Sequence, residues 1–449
     1  MTAAEGKKRK VLIVSYWFPP TNTSGAVRIG KFAKYLPEFG WEPIVLTSDS
    51  PRDLPPTLPV EVDDANIVRT PYFALSNSVS RILVDNKDAS PAAQTGQPSK
   101  TGLNWRNIVL NTMRLMSPIY TLPVIDKLLF EPMGWYRYAV RTGSELVGKN
   151  KIDVIFSTYG PSVPHLVASR LHKQTRMPWV AEFRDPWSLN AYTRKTQPFQ
   201  FLEEQWEKKT MKNCDLLVSV SKLWAEKLEA FHSKKTMVIA NGFDEEDYRE
   251  DMPLTSKFTI TYTGGIYPGK RDPTRLFQAI AELRREGKMS PDDLEVRFLG
   301  SNVAKTLSPL VQEYRLPEFV KMYGFVSFKE SIKRQMESTV LLLLSWDDPR
   351  DQGTLTAKIF EYMGARRPTL ALAFKGGEID KLLWESGCGI LANAVNEIKN
   401  ILMKWLGEFR QYGKIVSYYR PDNEVIKKYT RREQAKKLAE TFDSVLTQH

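Results

Sequence analysis

The chain has 449 residues, 42% hydrophobic and 26% charged, with a formal net charge of +12; length and composition indicate two or three soluble globular domains and exclude a disordered or fibrous protein. Two cysteines, Cys214 and Cys388, cannot build a disulfide framework and suit a reducing compartment, and four histidines leave little material for a metal site. No apolar run reaches the roughly 18–20 residues of a spanning helix, and the start MTAAEGKKRK lacks the apolar stretch and cleavage site of a secretory signal, so a cytoplasmic protein is expected.

Residues Lys10–Ser15 (KVLIVS) form a short run rich in β-branched side chains, which predicts a buried parallel strand. SGAVRIGKFAKYL follows, with Ala26, Ile29, Ala33 and Leu36 at helical spacing, and Glu42–Ser48 is the next strand. Strand, glycine-containing turn, helix and strand make a right-handed βαβ unit. The pattern recurs at Asp153–Ser157, Trp179–Glu182, Asp215–Val220 and Met237–Ala240. A second series runs through Phe258–Thr263, Glu295–Leu299, Phe319–Tyr323, Val340–Ser345 and Thr369–Ala373. Two such series imply an α/β protein of two doubly wound domains facing a cleft. The expected division is 1–240 for the first domain, 241–256 for a polar, acidic linker and 257–425 for the second domain. Residues 426–449 form a terminal segment with an amphipathic helix, Thr430–Leu446. Residues 85–102 read as a mobile insertion, and 105–140, rich in aromatics and aliphatics, suit either a helix on the core or a membrane-facing element.

The charge is uneven. Through Ala240 there are 32 Lys and Arg against 22 Asp and Glu; beyond it, 32 against 30. A basic first half suits an anionic partner, a membrane surface or a phosphorylated acceptor before a nucleic acid, since no nucleic-acid-binding signature is visible; it is equally compatible with a solvated surface.

Four turns stand where a doubly wound sheet binds ligands. The first, Pro19–Arg28, holds Gly25 at the start of a helix, where free N–H groups favour an anion; it is not a GxGxxG fingerprint. The second, Thr263–Pro273, contains Gly264, Gly265 and Gly269 followed by Lys270 and Arg271, a composition suited to a diphosphate or to a solvated surface turn. The third, Asp351–Gly364, places Thr354 and Leu355 before a short helix on which Lys358 and Glu361 share a face. A carboxylate there suits a ribose diol, or the two form a surface pair. The fourth, Trp179–Trp187, sets Arg184 and Asp185 just after a strand, as a cleft-facing pair or a structural ion pair.

Taken in order, VLIVSYWFPP…SGAVRIGKFAKYL, DVIFSTYGPSVPHLVASRLHKQTRMPWVAEFRDPW, FTITYTGGIYPGKRDPTRLFQAI and GTLTAKIFEYMGARRPTLA resemble the family 4 type of glycosyltransferases with the GT-B fold. The resemblance implies a retaining transfer from a nucleotide-sugar, UDP or GDP, to a glycan or lipid-linked acceptor, in polysaccharide or glycolipid synthesis on the membrane's cytoplasmic face. It implies no cofactor and no required metal, and a last helix, Thr430–Leu446, that crosses back onto the first domain. By the same resemblance Lys270 and Arg271, with Gly264 and Gly265, take the diphosphate, and Lys358 and Glu361 belong to the donor helix, Glu361 on the ribose. Thr354 and Leu355 contact phosphate, Gly25 closes on the donor, and Phe325 and Val326 present backbone to the base. Asp185, with Arg184, orients the acceptor hydroxyl.

One departure stands out. Many members carry two glutamates with seven residues between them, and the position eight before Glu361 is Gly353; Asp347, Asp348 and Asp351 are the nearby acids. A subgroup with a KxFEY-type helix shares the lack. Two other readings of the same architecture are a silent scaffold that binds nucleotide or glycan and a sugar-nucleotide epimerase.

Overall fold

The structure, a computed structural model, describes residues 9–49, 56–72, 133–193 and 195–447. The insertion expected at 85–102 and residues 105–132 of the aromatic stretch lie outside the described residues.

The first sheet has seven parallel strands in the order β3-β2-β1-β4-β5-β6-β7. They are β1 (Arg9–Val14), β2 (Trp41–Ser48), β3 (Ile67–Thr70), β4 (Val154–Thr158), β5 (Trp179–Phe183), β6 (Leu216–Ser219) and β7 (Thr236–Val238). Helices α1 (Ser24–Tyr35), α2 (Tyr136–Asn150), α3 (Val163–Thr175), α4 (Phe199–Met211) and α5 (Lys222–His232) accompany them. Alternation along β1 explains the two-sided burial: Val11 and Ile13 enter the core under α1, while Leu12 and Val14 enter the core under α2 and α3. A strand covered on both faces must be apolar throughout, which is why these runs are continuous rather than alternating. Helix α1 starts where the Thr23 hydroxyl accepts from the Ala26 N–H at 3.1 Å, a side-chain N-cap.

The second sheet orders its six parallel strands β10-β9-β8-β11-β12-β13. These are β8 (Phe258–Thr263), β9 (Leu294–Leu299), β10 (Val320–Gly324), β11 (Val340–Leu344), β12 (Thr369–Leu372) and β13 (Gly389–Leu391). Its helices are α6 (Thr274–Arg285), α7 (Val303–Glu313), α8 (Phe328–Met336), α9 (Ala357–Gly364), α10 (Glu378–Ser386) and α11 (Val395–Tyr412), with α12 (Asn423–Lys427) and α13 (Arg431–Leu446) after them. Helix α13 leaves this sheet: Ala435, Leu438 and Phe442 lie in the core of the first sheet with Ile29, Trp41 and Phe156.

The segment between β7 and β8 is fastened to α1 by charge. Lys31 Nζ lies 2.7 Å from Asp244, Lys34 Nζ 2.9 Å from Asp244 and 2.7 Å from Glu246, and the Tyr35 hydroxyl donates to Asp244 at 2.7 Å. Glu61, Asp244 and Glu246 cluster closely, but Lys31 and Lys34 already supply their cations.

Candidate functional site

In each sheet the strand order reverses at one place, between β1 and β4 and between β8 and β11. Loops leaving the carboxyl ends on either side of such a point diverge and open a crevice. The loops after β1, β4 and β5, with helix α5 after β6, form one wall, and the loops after β8 and β11 form the other.

On the second-sheet wall, Gly264 has φ +127°, and a Cβ there would stand 2.5 Å from Lys358 Cε. The bare glycine lets the Lys358 side chain lie directly on the loop. Burial lowers the Lys358 pKa from 10.5 to about 8, with Arg271 pushing the same way and Glu361 opposing. Gly265 offers its carbonyl to the Tyr262 hydroxyl at 2.8 Å, and the Asn302 side chain accepts from Ile266 N–H at 3.0 Å, so the loop's shape is held from beneath. Lys270 and Arg271 follow on that loop. The Lys270 ammonium lies 4.4 Å from the Tyr192 ring centre and 4.6 Å from that of Trp346. Arg271 lies 5.0 Å from the Tyr267 ring.

The loop after β11 is organised by Asp351. Its carboxylate accepts from Ser345 Oγ at 2.6 Å, Trp346 N–H at 3.1 Å, Thr354 Oγ1 at 2.5 Å and the Tyr192 hydroxyl at 3.3 Å. The Thr354 hydroxyl thus serves the loop, and Leu355 is buried in the second-sheet core beside Ile359 and Phe360. Helix α9 is capped by Thr356 and presents Glu361, which accepts from Gln335 Nε2 at 3.3 Å. Asp347 pairs with Arg275 at 2.7 Å and Asp348 with Arg350 at 2.7 Å. Gly353 lies against Trp224 of α5, and Ser221 Oγ donates to its carbonyl at 2.6 Å. The position an acid takes in many family members is here a contact between the two walls.

On the first-sheet wall, the Arg184 guanidinium fills the gap between two glycines. A Cβ at Gly25 or at Gly160 would come within 2.4 Å of it. Arg184 Nε donates to the Tyr159 carbonyl at 3.0 Å and Nη2 to the Gly160 carbonyl at 3.1 Å. Burial lowers its pKa while Asp185 and Glu182 oppose. Asp185 is exposed and turned the other way, into the cavity. Helix α4 holds the loop that carries it. Trp187 Nε1 donates to Glu203 at 3.1 Å, Ser188 N–H to Glu207 at 2.7 Å, and Gln200 Nε2 to the Ser188 carbonyl at 2.7 Å.

A cavity lies between the walls, lined by Asp185, Tyr192, Trp224 and Lys227 from the first and Arg271, Arg350, Asp351 and Thr354 from the second. The structure therefore gathers Lys270, Arg271, Lys358, Gly264 and Gly265 on one side and Gly25, Arg184 and Asp185 on the other. Glu361 sits one helical turn from Lys358. Phe325 is exposed just past β10, two strands from β8, and neither it nor Val326 lines this cavity. Tyr192, Trp224 and Trp346 are cavity or cation contacts that the motifs did not single out; Tyr192 and Trp224 meet residues of the opposite wall, and Trp346 joins Tyr192 in flanking Lys270.

A family model described as Glycosyltransferase Family 4 matches residues 112–247. No curated protein matches in sequence. Among solved structures, sucrose-phosphate synthase from Thermosynechococcus elongatus is 14% identical with a TM-score of 0.64, covering 98% of this chain and 100% of its own. The pneumococcal O-GlcNAc transferase GtfA, in complex with UDP and GlcNAc, is 11% identical at a TM-score of 0.57, covering 98% of this chain and 100% of its own. Anabaena HepE in complex with UDP is 14% identical at 0.51, covering 98% of both chains. The chain has the two-sheet GT-B fold of these structures, and its residues 112–247 match the model described as Glycosyltransferase Family 4.

Proposed function

We propose that the chain transfers a sugar, with retention of configuration, from a nucleoside diphosphate donor to a glycan or glycolipid acceptor in cell-surface polysaccharide or glycolipid synthesis. The observation that carries this reading is the glycine-rich loop at the switch point of the second sheet, where Lys358 lies on the bare backbone of Gly264 with Arg271 near enough to lower its pKa, and where Lys270 follows on the same loop. Likeness to folds that hold UDP supports a nucleotide-sugar donor.

The chemistry follows from charge. As the anomeric C–O bond breaks, negative charge grows on the departing diphosphate, and cations already in place stabilise it without reorganising. Lys270 and Arg271 take the outer phosphate, and Lys358 sits beside Gly264, where backbone and phosphate can approach. Glu361 accepts hydrogen bonds from the ribose hydroxyls. Asp185, on the facing wall, orients the acceptor hydroxyl, which attacks from the face the diphosphate leaves. Arg184 positions that wall through Gly25 and Gly160 and is a positioning residue. Asp351, already accepting four hydrogen bonds, holds its loop rather than the sugar.

The test is a mass-spectrometric turnover screen of wild type and Glu361→Ala with UDP-, GDP- and ADP-sugars, with and without membrane lipid extract. Nucleotide release from one donor, lost in the variant, supports the reading and names the base; a requirement for extract places the acceptor among membrane lipids. Nucleotide binding without turnover favours a scaffold, and a changed sugar-nucleotide without acceptor favours an epimerase.

A further inference from the structure

We propose that Tyr192 is the positioning residue through which the first domain sets the diphosphate cations of the second; the inference rests on the donor-site reading above. Tyr192 lies on the loop between β5 and α4, yet its side chain reaches the second-sheet wall. The Lys270 ammonium sits 4.4 Å from its ring centre, and the Trp346 ring, 5.8 Å away and inclined by 69°, closes on the same ammonium at 4.6 Å. The Arg271 guanidinium carbon lies 5.9 Å from the Tyr192 ring. The phenol hydroxyl donates to Asp351 at 3.3 Å, the carboxylate that shapes the loop ahead of α9. One side chain from across the cleft therefore touches both cations and the loop leading to Lys358 and Glu361.

The loop beneath Tyr192 is built to hold that position. Tyr192 N–H donates to Asn190 Oδ1 at 2.9 Å, and Lys195 N–H donates to Gln200 Oε1 at 3.1 Å. Glu207, fully buried, fixes the Ser188 amide and lies 3.0 Å from His232 of α5. A long lysine or arginine side chain is otherwise free among many rotamers. Aromatic faces attract the cation without donating or accepting its hydrogen bonds. Lys270 is thus confined by contacts that use none of its N–H hydrogen bonds, which is pre-organisation of the kind that raises affinity and transition-state stabilisation together. Because Tyr192 comes from the other domain, the cations are set only when the two walls face each other.

The experiment compares wild type, Tyr192→Phe and Tyr192→Ala. Binding of UDP, GDP and ADP is measured by calorimetry, donor KM and kcat by turnover, and amide exchange is followed across residues 345–354. Tyr192→Ala should weaken nucleotide binding and raise donor KM by roughly tenfold, the order of two lost cation–π contacts, and speed exchange in 345–354. Tyr192→Phe, which keeps the ring, should restore the affinity while leaving the exchange faster than wild type. Equal affinity, KM and exchange in wild type and Tyr192→Ala would overturn the proposal. Failure of Tyr192→Phe to restore the affinity in a folded variant, judged by circular dichroism, would also count against it, since the ring would then play no part. A wild type that binds none of the nucleotides would instead overturn the donor-site reading, and this assignment with it.

Discussion

Gly353 lies so close to Trp224 that a Cβ at position 353 would stand 2.4 Å from the indole Cδ1 and 2.7 Å from Nε1. The contact joins the loop after β11 to helix α5, with Ser221 Oγ donating to the Gly353 carbonyl beside it. Gly353→Glu, which recreates the acid found there in many family members, should therefore not improve activity. It should destabilise by about 1–3 kcal/mol through overpacking and lower turnover by prising the walls apart. Trp224→Ala in the same chain should recover part of the stability, because the two positions share one contact. Thermal melts of the single and double variants test this; a stable, faster Gly353→Glu enzyme would refute it.

Lys358 predicts a pH signature. Its folded pKa is about 8, against an ordinary 10.5, because burial disfavours the ammonium. Between those values the unfolded chain binds more protons than the native one, so this residue's contribution to stability rises as pH climbs from about 8 to 10.5. A bound diphosphate acts in the opposite sense and favours the charged amine. Nucleotide binding at pH just above 8 should thus take up a proton, and donor affinity should fall as pH rises through that region. Calorimetry in two buffers of different ionisation enthalpy would detect the uptake. In Lys358→Met the uptake should vanish and affinity should drop roughly tenfold, the order of one charge-assisted contact to phosphate. Unchanged proton uptake in that variant would assign it to another group.

The strands were legible because a parallel strand buried on both faces must be an apolar run, and KVLIVS, FTITYT and VLLLL are such runs. Two edge strands, β3 and β13, escaped. Ile67–Thr70 is mostly half-buried and Gly389–Leu391 has three residues, so neither stands out as a run. The expected strand at Met237–Ala240 begins and ends earlier, at Thr236–Val238, and its Met237 and Val238 are over a third exposed while Ile239 is buried beyond it. In the cleft, Gly264 and Gly25 stand out in the sequence as points of close backbone approach, and in the structure what approaches them is a side chain, Lys358 and Arg184. Tyr192, Trp224 and Trp346 were not, since a single tyrosine or tryptophan in a loop or at the start of a helix carries no spacing signal. What each of them does depends on a partner more than a hundred residues away, in the case of Tyr192 and Asp351 on opposite walls.

The fully buried pair Arg28 and Glu182 ties α1 to β5 and to the crossing between domains. Arg28 Nε donates to Glu182 at 2.8 Å, its Nη1 to the Ala240 carbonyl at 2.6 Å and its Nη2 to the Ile239 carbonyl at 2.8 Å. Glu182 also accepts from Thr158 Oγ1 at 2.7 Å. Removing one partner strands the other, so Arg28→Met should cost about 3–5 kcal/mol, whereas Arg28→Met with Glu182→Leu should recover most of that loss. Urea unfolding of the single and double variants measures it. A double variant no more stable than Arg28→Met would show that the carbonyl contacts, rather than the ion pair, dominate.

The last helix makes the fold of the first domain depend on residues that follow the second. Phe442 packs 5.1 Å from Trp41 and 5.5 Å from Phe156, ring centre to ring centre, and Trp41 Nε1 donates to Asp443 at 3.1 Å. Phe442 is fully buried in the core shared with β1 and α1, so Phe442→Ala leaves a cavity the surrounding sheet cannot close and should cost about 3–5 kcal/mol. Phe442→Leu, closer in volume, should cost distinctly less. Because β1 and β4 border this core and also carry the loops that hold Gly25 and Gly160, the damage should reach the cleft. Phe442→Ala should lower turnover at temperatures where Phe442→Leu does not, even though residue 442 touches none of the site residues. Turnover measured against temperature, alongside unfolding followed by near-ultraviolet circular dichroism, separates the cases: a Phe442→Ala enzyme as stable and as active as wild type would mean that α13 is dispensable for the first sheet.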